Sequence, residues 1–157
     1  MKLLAVSALV CAVVVLTNAA AYRDLFKRQS GEWTTIGDRQ YLYVDIQQTW
    51  HKAEQNCAQL GGKLASVHSQ KDNQELGLLI TRMTGGKPIV WLGGTDQHQE
   101  GNWVWSDGSV FNYKNWCWRE PNNDWNQDCL QMNYGSDQCW DDDQCNEYRS
   151  SICSKPK

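Results

Sequence analysis

Residues 120–143 of the chain read EPNNDWNQDCLQMNYGSDQCWDDD. This stretch contains no Lys, Arg or His, and its seven carboxylates are Glu120, Asp124, Asp128, Asp137, Asp141, Asp142 and Asp143. Like charges at this density repel one another, so a folded segment of this kind needs a bound cation or full exposure to solvent. The neutral oxygen ligands of the stretch are Asn122, Asn123, Asn126, Gln127 and Asn133. Because hard cations such as Ca2+ prefer carboxylate and amide oxygens, the composition predicts a divalent-cation site.

A disordered acidic run is the alternative interpretation of the same residues. Disordered acidic segments lack large apolar and aromatic side chains. This stretch is interrupted by such residues, which are Trp125, Cys129, Leu130, Met132, Tyr134, Cys139 and Trp140. The apolar positions favour a folded segment.

The N-terminus has the pattern of a secretory signal peptide. Lys2 is followed by an apolar run over residues 3–16 and then by the small residues 19–21. The run is too short for a membrane span, which needs about 20 apolar residues. We therefore predict a signal peptide over residues 1–21, with a retained anchor as the alternative. Residues 22–28 end in a dibasic pair and are interpreted as a propeptide, which leaves residues 29–157 as one domain of a secreted, extracellular protein.

Six cysteines follow the predicted signal peptide: Cys57, Cys117, Cys129, Cys139, Cys145 and Cys153. An even number of cysteines in a secreted chain favours disulfides. Zinc is the competing interpretation, but Cys139 and Cys145 lack metal-binding spacing and no His lies near them. Six cysteines allow about 15 pairings, and spacing alone does not choose among them.

The charge balance and the remaining composition disfavour several classes of function. With 15 Lys and Arg against 18 Asp and Glu, the formal net charge is −3, which disfavours nucleic acid as a partner. No second apolar run follows the predicted signal peptide, so no membrane span is expected. The sequence places no acid in an apolar segment and no nucleophile beside a base, so the chain is not predicted to be an enzyme.

Two helices are predicted in the first half of the domain. Thr49 is a candidate N-cap for a helix whose apolar residues recur at three- and four-residue spacing until the glycine pair 61–62. Ser69 and Asp72 resemble a capping box, with Asp in place of the usual Glu, for a second helix that ends at the glycine pair 85–86.

Most of the strands are predicted in the second half, which makes the class α+β. Alternating or short apolar runs predict strands over residues 41–46, 63–67, 89–92, 103–105, 130–134 and 149–153. Regular periodicity fades for some thirty residues past Ser106, where the acidic stretch begins and three of the cysteines lie. A loop of this length inside a compact domain is expected only where it is functional and held by metal or disulfides.

Five short strings, in this order, resemble motifs of the C-type lectin-like domain family. They are Trp91-Leu92-Gly93-Gly94, the segment Trp103 to Ser109, Glu120-Pro121-Asn122, Trp140-Asp141-Asp142 and Ser151-Ile152-Cys153. The resemblance spans about Trp33 to Cys153 and is strongest to single-domain lectins of fish skin mucus and type II antifreeze proteins. It implies two helices, two small antiparallel sheets and a long, disulfide-held Ca2+-binding loop.

The resemblance also implies a disulfide pairing, namely Cys57–Cys153, Cys129–Cys145 and Cys117–Cys139. A bridge between two chains is the alternative for Cys117 and Cys139. It further implies a cis peptide bond before Pro121.

The ligand residues are likewise implied by the resemblance. The principal Ca2+ site, which in the family also binds the sugar, maps to Glu120, Asn122, Gln127, Asp141 and Asp142. An auxiliary Ca2+ site maps to Asp96, Glu100, Asn123 and Asp128, with a solvated turn as the alternative for Asp96 and Glu100. Trp125 is a candidate for stacking against a sugar ring, whereas the tryptophans matching core positions are Trp91, Trp103, Trp105, Trp116 and Trp140.

Two principal-site residues depart from the family pattern. Gln127 stands where Glu is usual and Asp141 where Asn is usual, so the formal charge of the set is preserved while donor and acceptor are exchanged. The motif of residues 120–122 therefore implies a mannose-type ligand, whereas the exchanged residues 127 and 141 make a galactose-type ligand the alternative.

The resemblance implies a secreted Ca2+-assisted lectin of innate defence that binds or agglutinates microbes through glycans on microbial or mucosal surfaces. A homodimer is expected to supply avidity. The alternatives are an ice-binding protein, a protein-binding module and, least favoured, a glycosidase using two clustered carboxylates.

Overall fold

The computed structural model describes residues 32–135 and 137–157, so the predicted signal peptide, the propeptide and the first residues of the domain lie outside it. The described part contains two helices, α1 (Trp50–Gln59) and α2 (Gln70–Thr84). Its strands are β1 (Thr34–Ile36), β2 (Arg39–Gln48), β3 (Lys63–Leu64), β4 (Val90–Thr95), β5 (Val104–Trp105), β6 (Cys129–Tyr134), β7 (Cys139–Asp143) and β8 (Arg149–Pro156). The α+β class is confirmed. Among the described residues, no helix has the length and apolar character that crossing a membrane requires.

The strands form one connected sheet in the order β1-β2-β8-β4-β6-β7, with β3 paired to β8 and β5 to β4. All pairs are antiparallel except β4 with β8, where Val90 and Trp91 lie beside Ser150 and Ser151 in parallel register. The expectation of two small antiparallel sheets is therefore wrong. The C-terminal strand β8 lies between β2 and β4 and bonds to both, which joins the early and late strands in one mixed sheet.

The two helices begin by different means. Thr49 is the N-cap residue of α1, but its side chain makes no capping hydrogen bond. Instead, the Trp50 backbone N–H donates to the Cys145 carbonyl at 3.0 Å, so tertiary contacts hold this helix end. Helix α2 has the predicted side-chain cap, because the Ser69 hydroxyl accepts from the Asp72 N–H at 3.1 Å. The Asp72 carboxylate accepts from the His68 N–H and thus completes only a variant of the capping box.

Two strands were not predicted from the sequence. Strand β1 is a three-residue edge strand paired with the start of β2. Strand β7 reads Cys-Trp-Asp-Asp-Asp, and its alternation is obscured because three of its five residues are acidic. Its pairing with β6 places carboxylates inside the fold, with Asp142 opposite Leu130 and Asp141 opposite Gln131.

The core packs on both faces of this sheet. Trp91 and Trp140 are fully buried, and Trp103 and Trp105 are nearly so, as expected for core tryptophans. Ring contacts connect Trp140 with Trp105 at 5.7 Å and with Trp116 at 5.8 Å between centroids. This aromatic cluster lies beneath the long loop that follows β5.

The three disulfides are the ones that the family resemblance implied: Cys57–Cys153, Cys117–Cys139 and Cys129–Cys145. Cys117 and Cys139 are bonded within one chain, so the interchain alternative is not observed. The second and third bridges fasten residues 117–129 to β7 and to the segment just after it.

Candidate functional site

Three carboxylates converge where the long loop meets β7. Glu120, Asp141 and Asp142 each offer an oxygen atom, and these atoms lie within 4.8 Å of one another. We call this group the principal cluster. Asp141 and Asp142 are 5% and 1% exposed, which is rare for acidic side chains without a partner. Repulsion among these three anions therefore destabilises the folded protein, and a bound cation would offset that repulsion.

Asp142 connects the loop to the sheet. Its two carboxylate oxygens accept from the backbone N–H groups of Asn122 at 3.0 Å and Asn123 at 2.7 Å. The Glu120–Pro121 peptide bond is cis, as expected, and directly precedes this clamp. Asp142 thus positions the loop residues as well as contributing an oxygen to the cluster.

Asp141 is held by a chain of donors that the sequence analysis missed. The Gln131 side-chain N–H donates to Asp141 Oδ2 at 2.7 Å, and both residues are buried. Arg149 Nε donates to Gln131 Oε1 at 3.2 Å, which fixes the amide so that its NH2 group faces Asp141. Arg149 also pairs with Asp143 at 2.7 Å. The only signal for Gln131 is its register opposite Asp141, which requires β7 to be recognised as a strand.

The electrostatics of the principal cluster disfavour its charged form. Burial, followed by repulsion from Asp141 and Asp142, raises the pKa of Glu120 to about 7. Burial is also the largest cause that raises the pKa of Asp141 to about 6, while the Gln131 hydrogen bond partly lowers it. Oε2 of Glu120 is buried and accepts no hydrogen bond from any residue that the structure describes. An unpartnered carboxylate oxygen inside an acidic group is the environment that a hard cation satisfies.

The two amides of the predicted principal site lie side by side with their carbonyl oxygens engaged. The Asp124 backbone N–H donates to Asn122 Oδ1 at 2.7 Å and to Gln127 Oε1 at 3.1 Å. This shared donor orients both side chains, while each carbonyl oxygen keeps a second lone pair and each NH2 group keeps its two donors. Of the five predicted residues, the structure groups the three acids with one another and links the two amides through the Asp124 N–H, and the backbone N–H of Asn122 donates to Asp142.

A second acidic group, the auxiliary cluster, contains Asp96, Glu100 and Asp128. One oxygen of each lies within 4.8 Å of the others. Asp96 is 2% exposed and caps the turn at Gly101, whose N–H donates to Asp96 Oδ2 at 2.8 Å. Its other oxygen is buried and has no hydrogen-bond partner among the described residues, and burial raises its pKa. The predicted turn and the acidic group are thus both present.

Asn123, the fourth residue predicted for the auxiliary site, is engaged within the loop. Its Oδ1 accepts from the Gln127 backbone N–H at 2.9 Å. In this conformation the Asn123 oxygen therefore stabilises the loop rather than facing the three acids.

The loop that connects the clusters is held in unusual backbone geometry. Arg119, Asn123, Trp125 and Asn126 all have positive φ, a conformation that non-glycine residues rarely adopt. Such residues persist only where the surrounding structure determines them, and they concentrate at binding sites. Here the Cys117–Cys139 and Cys129–Cys145 bridges bracket the segment. The loop is therefore ordered by covalent and hydrogen-bonded contacts of its own.

Two large aromatic side chains remain exposed on this loop. Trp125 is 82% exposed and Trp118 is 80% exposed, in contrast to the buried tryptophans of the core. Trp125 lies between the two amides, Asn122 and Gln127, in the chain.

Comparisons with known proteins match this architecture. A family model described as the lectin C-type domain matches residues 46–155. The chain is 37% identical to the type-2 ice-structuring protein of Hemitripterus americanus, over 97% of this chain and 98% of that protein. It is 35% identical to the galactose-specific lectin nattectin of Thalassophryne nattereri, over 78% and 77% of the two chains. The solved structure of herring type II antifreeze protein superposes with a TM-score of 0.75 at 33% identity, covering 80% of this chain and 96% of that one.

Proposed function

The chain belongs to the C-type lectin domain family, and on that premise we propose that it is an extracellular protein that binds a hexose with the help of Ca2+. The observation that carries the proposal is the principal cluster, in which three carboxylates converge and Asp142 binds the backbone of Asn122, one of two amides whose NH2 groups donate to none of the described residues. Glu120, Asp141 and Asp142 would hold the ion, and their hard oxygen atoms and unrelieved repulsion fit it. The bound ion would supply a positive charge to which sugar hydroxyls coordinate.

Asn122 and Gln127 would coordinate the ion after their amide oxygens reorient, or would donate hydrogen bonds to the sugar through their NH2 groups. A carboxylate only accepts hydrogen bonds, so Glu120 and Asp141 would accept a hydrogen bond from a sugar hydroxyl. The two amides can donate to the hydroxyl oxygens. The site therefore offers acceptors on one side and donors on the other to a pair of neighbouring hydroxyls.

This separation of acceptors and donors favours a galactose-type ligand in our proposal. In the family pattern the position of Gln127 carries Glu and that of Asp141 carries Asn, so the polarity of that half of the site is reversed here. The mannose-type motif of residues 120–122 consequently lacks its usual partners. A relative of this chain is named as a galactose-specific lectin, which supports the same choice.

Trp125 would contribute the apolar contact of the site. Its ring is 82% exposed, and the apolar face of a hexose can cover such a ring at little cost in conformational entropy. Ligands of this kind would be glycans on microbial or mucosal surfaces, in keeping with a role in innate defence. Because single shallow sites bind weakly, agglutination would require a dimer or larger assembly.

Isothermal titration of the purified protein with galactose and mannose, in Ca2+ and in chelator, tests this function. We expect galactose to bind in Ca2+ only, and Trp125→Ala to weaken binding about threefold, since an aromatic contact contributes about 0.5–1.5 kcal/mol. Trp118→Ala, which removes an equally exposed tryptophan, is the control for neutral galactose. Mannose binding in place of galactose would reverse the proposed specificity. No binding of either hexose would overturn the lectin function.

Ice binding is the second candidate, and the similarity to ice-structuring and antifreeze proteins favours it. It would use the same loop surface without a sugar. The loop is dominated by acidic and amide groups, and the sequence offers no regular array of Thr residues. Thermal hysteresis measured on the same protein sample distinguishes the candidates. An ice-binding protein lowers the freezing point below the melting point, whereas a lectin without ice affinity lowers both equally.

A further inference from the structure

The turn that precedes the principal cluster carries an unusual residue at its third position. The Glu120 N–H donates to the Cys117 carbonyl at 3.0 Å and closes a four-residue turn over Trp118 and Arg119. Arg119 has a φ of 72°. A turn with a left-handed residue at this place usually carries Gly or Asn, because a longer side chain is disfavoured there. The chain therefore places a long cation where a glycine would be easier to accommodate.

The first residue of this turn is fixed covalently and the last belongs to the principal cluster. Cys117 is bonded to Cys139 on β7, and Glu120 is one of the three clustered acids. The Arg119 side chain is thus attached to the backbone next to a carboxylate of that cluster, on a turn that the Cys117–Cys139 bond ties to β7.

The side chains of Trp118 and Arg119 stack on each other in solvent. The guanidinium carbon lies 4.0 Å from the centroid of the Trp118 ring, and that ring is 80% exposed. Such a stack holds the guanidinium plane in place while its N–H groups remain available at the edge. Core packing does not require a tryptophan at this position.

Arg119 is the nearest cation in the sequence to the acidic stretch. It directly precedes residues 120–143, which have seven carboxylates and no cation. Nevertheless, in residues 32–135 and 137–157 Asp143 of that stretch pairs with Arg149 at 2.7 Å, and Arg119 forms no ion pair. Stacking on Trp118 therefore keeps the charge of Arg119 unpaired beside the binding surface.

We propose that Trp118 and Arg119 form a subsite for an anionic substituent, a sulfate or carboxylate group, on a saccharide whose hexose ring occupies the principal cluster. The proposal rests on the proposed hexose binding. A guanidinium presents two parallel N–H groups that match the oxygen atoms of sulfate or carboxylate. The preferred ligands are then acidic galactosides rather than neutral ones, although the surface around the subsite is itself acidic.

Titration of the Ca2+-loaded protein with galactose, galactose 3-sulfate, galactose 6-sulfate and galacturonic acid tests the subsite. We expect at least one acidic ligand to bind about two- to fivefold more tightly than galactose, the range typical of an exposed ion pair. Arg119→Gln and Arg119→Gly should remove this preference and leave galactose affinity unchanged. Raising the salt concentration should reduce the preference, since exposed charges are screened.

Three further variants sharpen the experiment. Arg119→Lys keeps the charge and should retain part of the preference, whereas Lys114→Gln removes an exposed cation of the same loop and should retain all of it. Arg119→Gly also relieves the left-handed backbone, so its melting temperature should equal or exceed that of the parent protein. A lost preference in this variant is then not a consequence of misfolding.

Each outcome separates the subsite from hexose recognition. If galactose binds and no acidic ligand is preferred, the subsite is refuted while the proposed function stands. If only acidic ligands bind, and Arg119 is required, the subsite stands and recognition of the neutral hexose is refuted. If none of the four ligands binds, both are refuted.

Discussion

The two acidic clusters contain the same number of carboxylates but are built differently. In the principal cluster, Asp141 and Asp142 belong to strand β7 and are 5% and 1% exposed. In the auxiliary cluster, all three acids lie in loops, and of these only Asp96 is buried. A paired strand fixes its side chains wherever the sheet forms, whereas a loop fixes them only through local contacts. The sheet therefore imposes repulsion on the first cluster that the second can relax by moving.

The largest expected effect comes from deleting two acids of one cluster at a time. Asp141→Ala with Asp142→Ala should abolish Ca2+ uptake at the principal cluster and with it hexose binding. The matched pair, Asp96→Ala with Asp128→Ala, should remove one bound ion and weaken hexose binding without abolishing it. Calorimetric titration with Ca2+ and then galactose measures both.

The three disulfides allow these variants to remain folded, because they close loops over most of the domain. Circular dichroism in chelator is the control and should show the parent spectrum for both pairs. Undiminished Ca2+ uptake in the Asp141 and Asp142 variant would mean that the ion binds elsewhere in the chain.

The contrast between the clusters also marks what the sequence could predict. The helix bounded by Ser69 and Gly85 was predicted because its cap, periodicity and glycine stop are local signals. Strand β7 was not, because its acidic residues become buried only through pairing with β6. The single mixed sheet was missed for a similar reason, since it depends on where the C-terminal strand inserts.

The residues of the candidate site also divide into those that the sequence could predict and those that it could not. Its acids were found through motif resemblance, and the structure groups six of them into the two clusters. The role of Gln131 was missed because it depends on strand register, and the orientation of Asn122 and Gln127 depends on a backbone N–H of the folded loop. Hydrogen-bond networks across strands leave no pattern along one strand.

Removal of a supporting amide from each cluster should give the next largest effect. Gln131 donates to Asp141 at 2.7 Å inside the sheet, and Asn126 donates to Asp128 at 2.9 Å on the surface. Gln131→Leu leaves a buried carboxylate oxygen without its donor, and loss of such a supporting contact typically costs about 10- to 100-fold in metal affinity. Asn126→Leu should cost less than about threefold, because water replaces an exposed donor.

Ca2+ affinity by calorimetry compares the two amide variants. Equal losses of Ca2+ affinity in Gln131→Leu and Asn126→Leu would mean that burial does not distinguish the clusters. Arg149→Gln provides a graded control, because it removes the donor that orients Gln131 but leaves the amide itself in place. Its affinity should lie between those of the parent protein and Gln131→Leu.

The smallest expected effect is a pH dependence of stability that belongs to the principal cluster. Glu120 has a pKa raised from 4.5 to about 7, and Asp141 from 3.8 to about 6. Between these ordinary and raised values, the folded, metal-free protein holds protons that the unfolded chain has released. Stability therefore falls as the pH rises through this interval and levels off above it. In chelator, the melting temperature should drop by a few degrees from pH 5 to pH 8, since about 1 kcal/mol corresponds to ~4 °C for a domain of this size.

Calcium should reverse this trend, because the ion binds the deprotonated carboxylates and offsets their repulsion. The gain in melting temperature on adding Ca2+ is then larger at pH 8 than at pH 5. The pKa of Asp107 is lowered, because hydrogen bonds outweigh the effect of its burial. Asp107 therefore makes stability rise with pH, but only below its ordinary pKa of 3.8, which lies outside the scanned interval. Glu120→Gln should flatten the slope in chelator. Asp128→Asn in the auxiliary cluster should change it less, because burial, and only then the charge of Asp128, raises the pKa of Asp96. A slope that survives Glu120→Gln unchanged would assign the pH dependence to groups outside the principal cluster, and the strand-built site would then carry no more repulsion than the loop-built one.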